Sequence, residues 1–352
     1  MTKPAASVIV TGISGDLGRR LLPLLDEFHV VGVDLRSPES PLPLEFHAMN
    51  LGNEPSCREL TQIIRSSGAR SVVHLAFTMD PLRADPLDVE RMWQVNVAGT
   101  ARVMEAISVV NRTGGVVQQF IFTSSVVAYG PENSDAVLED SPLRGHTLPY
   151  AVHKRESDEV VRYRAESLGD CRAYVLRPQI YAGSSLQNYL MGALRESARN
   201  KTHRPSGAKG RRLAVVLPRG RKYVEQRFQF VHVDDVARLI AYLLQRPHSD
   251  PPVTILNVAG SGEPLSFEAC IEIAEAKVTR VPSRAACRMI AGILWRWGMS
   301  SVPPEALPYL IGSYTMDTTR LRNFLGPQYP VVMRYSVEEA LRDSFAGQSL
   351  SR

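Results

Sequence analysis

The sequence predicts an α/β protein, a doubly wound parallel sheet with a smaller and less regular C-terminal lobe. Three observations carry this expectation. Short β-branched runs alternate with longer amphipathic stretches, the first run ends in the glycine-rich turn TGISGDLG, and the alternation loosens after Arg177. Parallel strands need crossover connections, so such alternation places helices on both faces of one sheet. At 352 residues and 44% hydrophobic composition the chain can bury one large core, or one core with an attached lobe.

Taken in order, the strand-like runs are SVIVT from Ser7, HVVGVD from His29, the short EFHAM from Glu45, SVVHLA from Ser71, VVQQFIFTS from Val116 and CRAYVLR from Cys171. Helix-like stretches lie between them, among them DLGRRLLPLLDEF and VERMWQVNVAGTARVMEAISVV. No internal repeat or low-complexity tract interrupts the pattern. Residues 1–177 are expected to form the sheet core and 178–352 mainly the second lobe, with 225–260 returning to the core.

The first strand runs into Gly12, Gly15 and Gly18, spaced Gly-x-x-Gly-x-x-Gly with Asp16 and Leu17 between the last two. Glycine is needed where a strand turns tightly into a helix and where backbone approaches a pyrophosphate, and the helix N-terminus adds free N–H groups. The loop therefore predicts a dinucleotide cradle. Asp34, followed by Leu35 and Arg36, ends the second strand, where a carboxylate accepts hydrogen bonds from both adenosine ribose hydroxyls and repels a 2′-phosphate. NAD is expected over NADP, although Arg36 offers a phosphate partner nearby.

In a doubly wound sheet ligands bind beyond the carboxyl ends of the strands, where strand order reverses. Asn50 and Leu51 follow the third strand. Leu75, Ala76 and Phe77 end the fourth, and Thr123, Ser124 and Ser125 end the fifth. Tyr150 and Lys154 follow in LPYAVHK as an i,i+4 pair, which on a helix sends both side chains from one face.

These motifs together, TGISGDLG, VVGVDLR, VVHLA, NVAGT, FTSSVVAYG, YAVHK, LRP and FVHVDDVA, make the chain resemble an extended short-chain dehydrogenase/reductase of the NAD-dependent epimerase/dehydratase family, over about residues 7 to 260. The resemblance implies a Rossmann-type core and a catalytic set of Ser125, Tyr150 and Lys154. It places Ser124 beside the nicotinamide and adds Thr123, Asn96, Arg177 and Pro178 to the cofactor-contacting set. It further implies that Asn96 and Thr100 stand on a supporting helix, and that His232, Asp234 and Asp235 belong to a motif closing the second lobe over the first. On the residues alone, Asp234 caps the helix that follows. A homodimer through the helices bearing Asn96 and Tyr150 is implied as well.

Departures from the family pattern narrow what the resemblance implies. Asp16 stands where an aromatic residue is usual, Phe77 replaces a small residue and either narrows the crevice or points outward, and SSVVAYG lacks the Asp-Glu pair used for eliminating water. No asparagine follows Arg177-Pro178 where nucleotide-sugar epimerases commonly carry one.

The remaining features bound the setting. The 41 Lys+Arg against 36 Asp+Glu leave +5, concentrated in RNKTHRPSGAKGRRLAVVLPRGRK from Arg199 to Lys222. This tract reads either as an anion clamp through Arg211, Arg212 or Arg219 or as a solvated loop, and without interleaved aromatics it does not predict nucleic-acid binding. AACRMIAGILWRWGMSSVPPEALPYL, from Ala285, reads as core packing, with an apolar pocket wall or a membrane-surface contact as alternatives. Cys57, Cys171, Cys270 and Cys287 show no metal or disulfide spacing, so no metal is expected and a reducing cytoplasm is the expected compartment. No signal peptide or transmembrane segment is expected. The leading expectation is an NAD-dependent epimerase or oxidoreductase acting by hydride transfer at a hydroxyl or keto carbon of a small molecule, a sugar or nucleotide-sugar derivative. The alternatives are an NAD(P)-dependent dehydrogenase or reductase of a hydrophobic alcohol or ketone, and a non-catalytic dinucleotide-binding sensor or scaffold.

Overall fold

Seven parallel strands form the central sheet of the computed structural model, in the order β11-β6-β5-β4-β1-β2-β3. The structure describes residues 6–38, 44–79, 89–131, 133, 135–184, 186, 188–198, 214–246, 250–300, 302–313 and 315–346. The strands are β1 (Ala6–Thr11), β2 (Phe28–Asp34), β3 (Glu45–Ala48), β4 (Ser71–His74), β5 (Gln119–Thr123), β6 (Arg172–Pro178) and, after four short strands of the second lobe, β11 (Val253–Val258). Strand order reverses between β1, which continues to β2, and β4, which pairs with its other edge. That reversal opens a crevice at the carboxyl ends of β1 and β4.

Alternation along each strand sorts the core into two layers. Val8, Val10, Val73, Ile121 and Leu176 face one cluster, and Ile9, Val72, Phe120, Phe122 and Val175 face the other. The first layer is covered by α1 (Asp16–Leu21) and α7 (Val233–Leu244), the second by α2 (Ser56–Ser67) and α4 (Gly99–Arg112). Each such buried aliphatic side chain contributes roughly 1.5–3 kcal/mol relative to exposure.

Two expected helices are more broken than their periodicity suggested. DLGRRLLPLLDEF is helical only through Leu21 and tightens to a 3₁₀ turn at Leu22–Leu24, because Pro23 has no N–H to continue the α ladder. VERMWQVNVAGTARVMEAISVV is α-helical in α3 (Val89–Trp93) and α4, with a π-helical turn, Gln94–Ala98, between them. That turn holds Asn96. The Tyr150 helix, α5 (Pro149–Arg164), begins with proline at its first position, where the missing N–H has no intrahelical partner to lose.

The second lobe contains β7 (Ile180–Ala182), β8 (Val215–Pro218), β9 (Arg227–Phe228), β10 (Phe230–His232), β12 (Leu265–Ser266) and β13 (Val278–Val281), paired β7 with β10, β8 with β13 and β9 with β12. With α6 (Tyr189–Ser197), α8 (Phe267–Ile273) and α9 (Arg284–Arg296) they enclose a separate core around Leu194, Phe228, Phe267 and Cys287. α7 and β11 return to the main sheet, where β11 pairs with β6. The cap of α7 is His232 rather than Asp234: its Nδ1 accepts from the Asp234 N–H at 3.2 Å, and its ring stacks on Tyr335. Asp234 instead binds Arg20 of α1 at 2.7 Å. Arg211 and Arg212 lie outside the described residues, and Arg219 is exposed.

Candidate active site

Local backbone constraints shape the turn after β1. Gly12 has φ +75°, and a Cβ there would lie 2.5 Å from the Ala76 nitrogen at the end of β4. A Cβ on Gly18 would lie 2.5 Å from the Ile13 carbonyl oxygen. Gly15, which precedes α1, differs: its Cβ would meet only the Gly12 oxygen, at 3.3 Å. The first and last glycines are thus required by packing, whereas Gly15 leaves its space to the crevice. Asp16 is exposed and pairs with Arg19 at 3.1 Å.

Two cavities meet over this turn, both lined by Gly12, Gly15, Leu75 and Phe77. One, of about 460 Å³, is walled by Asp34, Leu35, Arg36, Asn50, Leu51 and Ala76. The Asp34 carboxylate accepts from the Ser14 N–H at 3.0 Å and the Arg36 N–H at 3.3 Å, which fixes it at the mouth of the glycine turn. The Asn50 carbonyl oxygen accepts from the Gly52 N–H at 2.9 Å, leaving its NH₂ group as the donor for a ligand. A dinucleotide fits these residues: an open glycine face, a carboxylate beside it, and an amide on the far wall.

The second cavity, of about 290 Å³, brings Ser124, Ser125, Tyr150 and Lys154 together with Asp16, Leu17, Gly18 and Thr123. Ser124 is buried, and its hydroxyl has no hydrogen-bond partner among the described residues. The Ser125 oxygen accepts a long bond, 3.4 Å, from the Val127 N–H, so its own proton is available to a ligand. Lys154 Nζ donates to the Thr123 carbonyl at 2.7 Å and lies 5.8 Å from the centre of the Tyr150 ring. Burial pushes the Lys154 pKa down to about 7, with the Asp158 carboxylate opposing the shift. Phe77 points into the site: its ring meets Tyr150 edge-on at 5.6 Å and covers Lys154.

Beneath these groups His74 ties the two strands that flank the strand-order reversal. Its Nδ1 is 2.7 Å from the Thr11 hydroxyl and its Nε2 is 3.0 Å from the Thr100 hydroxyl, which itself donates to the Asn96 carbonyl. Burial first, and then the nearby Lys154 charge, lower its pKa to about 3, so the ring is neutral and serves as a strut.

Three expected contact residues stand behind the walls. Asn96 is buried and clamps the Thr78 backbone, accepting from its N–H at 2.7 Å and donating to its carbonyl at 2.9 Å. Arg177 is fully buried in a bidentate pair with Asp158 and donates to the Tyr129 hydroxyl and the Glu139 carbonyl. Pro178 ends β6 without reaching either cavity. Conversely, sequence reading did not single out Tyr181, whose hydroxyl is buried at the cavity wall with no hydrogen-bond partner among the described residues, nor Leu148, Leu186 and Leu190. The only available signal was position, since Tyr181 closely follows the Arg-Pro motif. Ala306, Tyr309 and Leu310 of the PPEALPYL segment complete the wall.

Comparison with known proteins gives the same architecture. MoeE5 in complex with UDP-glucuronic acid and NAD superposes with a TM-score of 0.65 at 19% identity, covering 97% of this chain and 98% of that one. WbmH of Bordetella bronchiseptica in complex with NAD⁺ gives 0.65 at 17% identity, with 97% of each chain covered. A UDP-glucose 4-epimerase of Erwinia amylovora is 30% identical over 122 residues, a segment that spans 35% of this chain and 32% of that relative. The sequence pattern of the NAD dependent epimerase/dehydratase family matches residues 8–259, from the first strand to the end of β11. On that match, and with the glycine turn and the Tyr150–Lys154 helix in one crevice, the chain belongs to the NAD dependent epimerase/dehydratase family.

Proposed function

We propose that this protein is an NAD-dependent epimerase or oxidoreductase that acts by hydride transfer at a hydroxyl-bearing or keto carbon of a nucleotide sugar. The observation that carries the reading is that Tyr150 and Lys154 leave the first turns of α5 into the cavity that Gly15 and Ser125 also line. When bound along Gly12, Gly15, Asp34 and Asn50, NAD supplies the hydride acceptor. Ser125 donates a hydrogen bond to the reacting oxygen and Tyr150 takes or returns its proton. An unperturbed tyrosine titrates near pH 10, so phenolate at neutral pH needs the positive charge of Lys154 about one helical turn away. Ser124 and Tyr181 offer two further hydroxyls to the ligands. The similarity to MoeE5, solved with UDP-glucuronic acid and with UDP-glucose, supports the substrate class.

A second reading rests on the cavity around Tyr150, where Lys154 is the only cationic side chain on the wall among the described residues. Val127, Leu148, Leu190, Ala306 and Leu310 make much of that wall apolar, which suits a hydrophobic alcohol or ketone. Pairing of two copies through the helical segment that holds Asn96 and through α5, and residence in the cytoplasm, complete the proposal. Purified protein incubated with NAD and a panel of UDP-sugars and hydrophobic alcohols decides between the readings. Inversion of a sugar centre without free NADH supports epimerisation, and stoichiometric NADH from an alcohol with no inverted sugar overturns it. A Tyr150→Phe variant is expected to lose on the order of 10²–10⁴ in turnover.

A further inference from the structure

We propose that the outer face of α9 is a docking surface for an anionic lipid bilayer. Met289, Ile293 and Trp297 stand at i, i+4 and i+8 and are 62%, 45% and 71% exposed, so a row of large apolar side chains faces outward. Cys287 is the only buried residue of the helix. The inner face, through Ala291 and Leu294, closes over a small apolar crevice shared with Val215, Val302 and Leu307.

Charge decides which occupant this face suits. No acidic residue occurs between Glu275 and Glu305, while Lys277, Arg280, Arg284, Arg288 and Arg296 do. All five are exposed, and Arg288 and Arg296 form no ion pair among the described residues. On a helical projection Arg284 and Arg288 border one side of the outer face, Met289, Ile293 and Trp297 the other, and Arg296 lies between. That is the arrangement of a helix lying in a membrane interface, with apolar side chains dipping among acyl chains, tryptophan at the headgroup level and arginine reaching phosphate. A second copy of the chain would bring this positive face against its own like charge, which a bilayer rich in anionic lipid does not. No helix among the described residues is long and apolar enough to cross a membrane, so the contact is peripheral.

The face also adjoins the active-site cavity. Leu190 and Leu310 line both that cavity and the crevice beneath α9, making a continuous apolar seam between them. Glu196 is the acidic residue on the crevice wall. The docking proposal does not depend on the hydride-transfer reading, because it is tested by binding alone.

The test is co-sedimentation of the full chain with vesicles of phosphatidylcholine, with and without phosphatidylglycerol. The wild-type protein is expected to bind only the anionic vesicles and to dissociate as salt is raised. Arg288→Gln and Arg296→Gln are each expected to lower affinity about fivefold, the equivalent of about 1 kcal/mol per basic residue near the surface. Ile293→Glu is expected to abolish binding. NAD titration of each variant monitors folding, and because both arginines are exposed their variants keep the test decisive if Ile293→Glu misfolds. Equal binding to neutral and anionic vesicles, or no loss of affinity in either arginine variant, overturns the proposal. So does conversion of a dimer to a monomer by Ile293→Glu with vesicle binding unchanged, which assigns the face to a second copy.

Discussion

The ammonium nitrogen of Lys154 lies 3.5 Å from the centroid of the Phe77 ring, so the cation that the proposed chemistry needs is covered by an aromatic face. Apart from Phe77, its partners are the Thr123 carbonyl and the more distant rings of Phe122 and Tyr150. A desolvated cation–π contact is worth about 2 kcal/mol, enough to compete with a hydrogen bond from Lys154 to a ribose hydroxyl. Phe77→Ala removes that competitor. NAD affinity is expected to rise by up to about tenfold, because the population with an accessible Lys154 increases. Fluorescence titration with NAD checks this, and unchanged or weaker binding shows that the ring does not oppose the cofactor.

Lys154 also makes a prediction about stability. Its folded pKa of about 7 lies below the usual lysine value, so the unfolded chain holds the proton more tightly. The destabilising effect is therefore fully present below about pH 7, shrinks as pH rises, and vanishes above about pH 10.5. Lys154→Met is expected to raise Tm at about pH 6, to show a smaller gain at about pH 10, and to cut turnover sharply. Thermal unfolding at the two pH values beside steady-state kinetics measures both effects. A variant less stable than wild type at the lower pH contradicts the burial argument.

Asp34 is held by two backbone N–H groups and faces the cavity assigned to adenosine. Asp34→Ala is expected to weaken NAD binding by roughly tenfold, the loss of a charge-assisted hydrogen bond, while NADP binding changes less or improves. Parallel titrations with the two cofactors provide the measurement. Preference of the wild-type protein for NADP contradicts the role given to Asp34.

Arg177 separates structural from ligand-binding roles. Its guanidinium is fully buried against Asp158, Tyr129 and Glu139, so Arg177→Met leaves a buried carboxylate without its main partner. A loss of roughly 3–5 kcal/mol in folding stability is expected. In the surviving folded fraction NAD affinity is expected to stay within a few fold. Urea unfolding and cofactor titration test the two halves separately, and a selective loss of affinity at unchanged stability returns Arg177 to the cofactor site.

Gly12 and Gly18 were legible because a tight strand-to-helix turn leaves no room for a Cβ at those positions, and Gly15 because the same turn must stay open where a pyrophosphate approaches. Tyr150 and Lys154 were legible because helical periodicity acts over one turn and proline marks the start of α5. Six of the seven parallel strands followed from alternating β-branched and amphipathic segments, since both faces of such a sheet must be covered, whereas β11 was not read as a strand. Sequence distance hid the rest. Asn96 and Arg177 lie close to the motif residues along the chain, yet their side chains turn to Thr78 and Asp158, because a buried amide or guanidinium must satisfy its donors wherever the fold places partners. Whether Phe77 would point outward or cover Lys154 depended on packing between β4 and α5, which are joined by no local pattern. The stretch from Ala285 had composition suited to a core, a pocket wall or a membrane surface; the tertiary structure divided it, sending Tyr309 and Leu310 to the cavity and leaving Met289, Ile293 and Trp297 exposed. Periodicity specifies that a helix has an apolar face, but only the surrounding elements determine whether anything in the chain covers it.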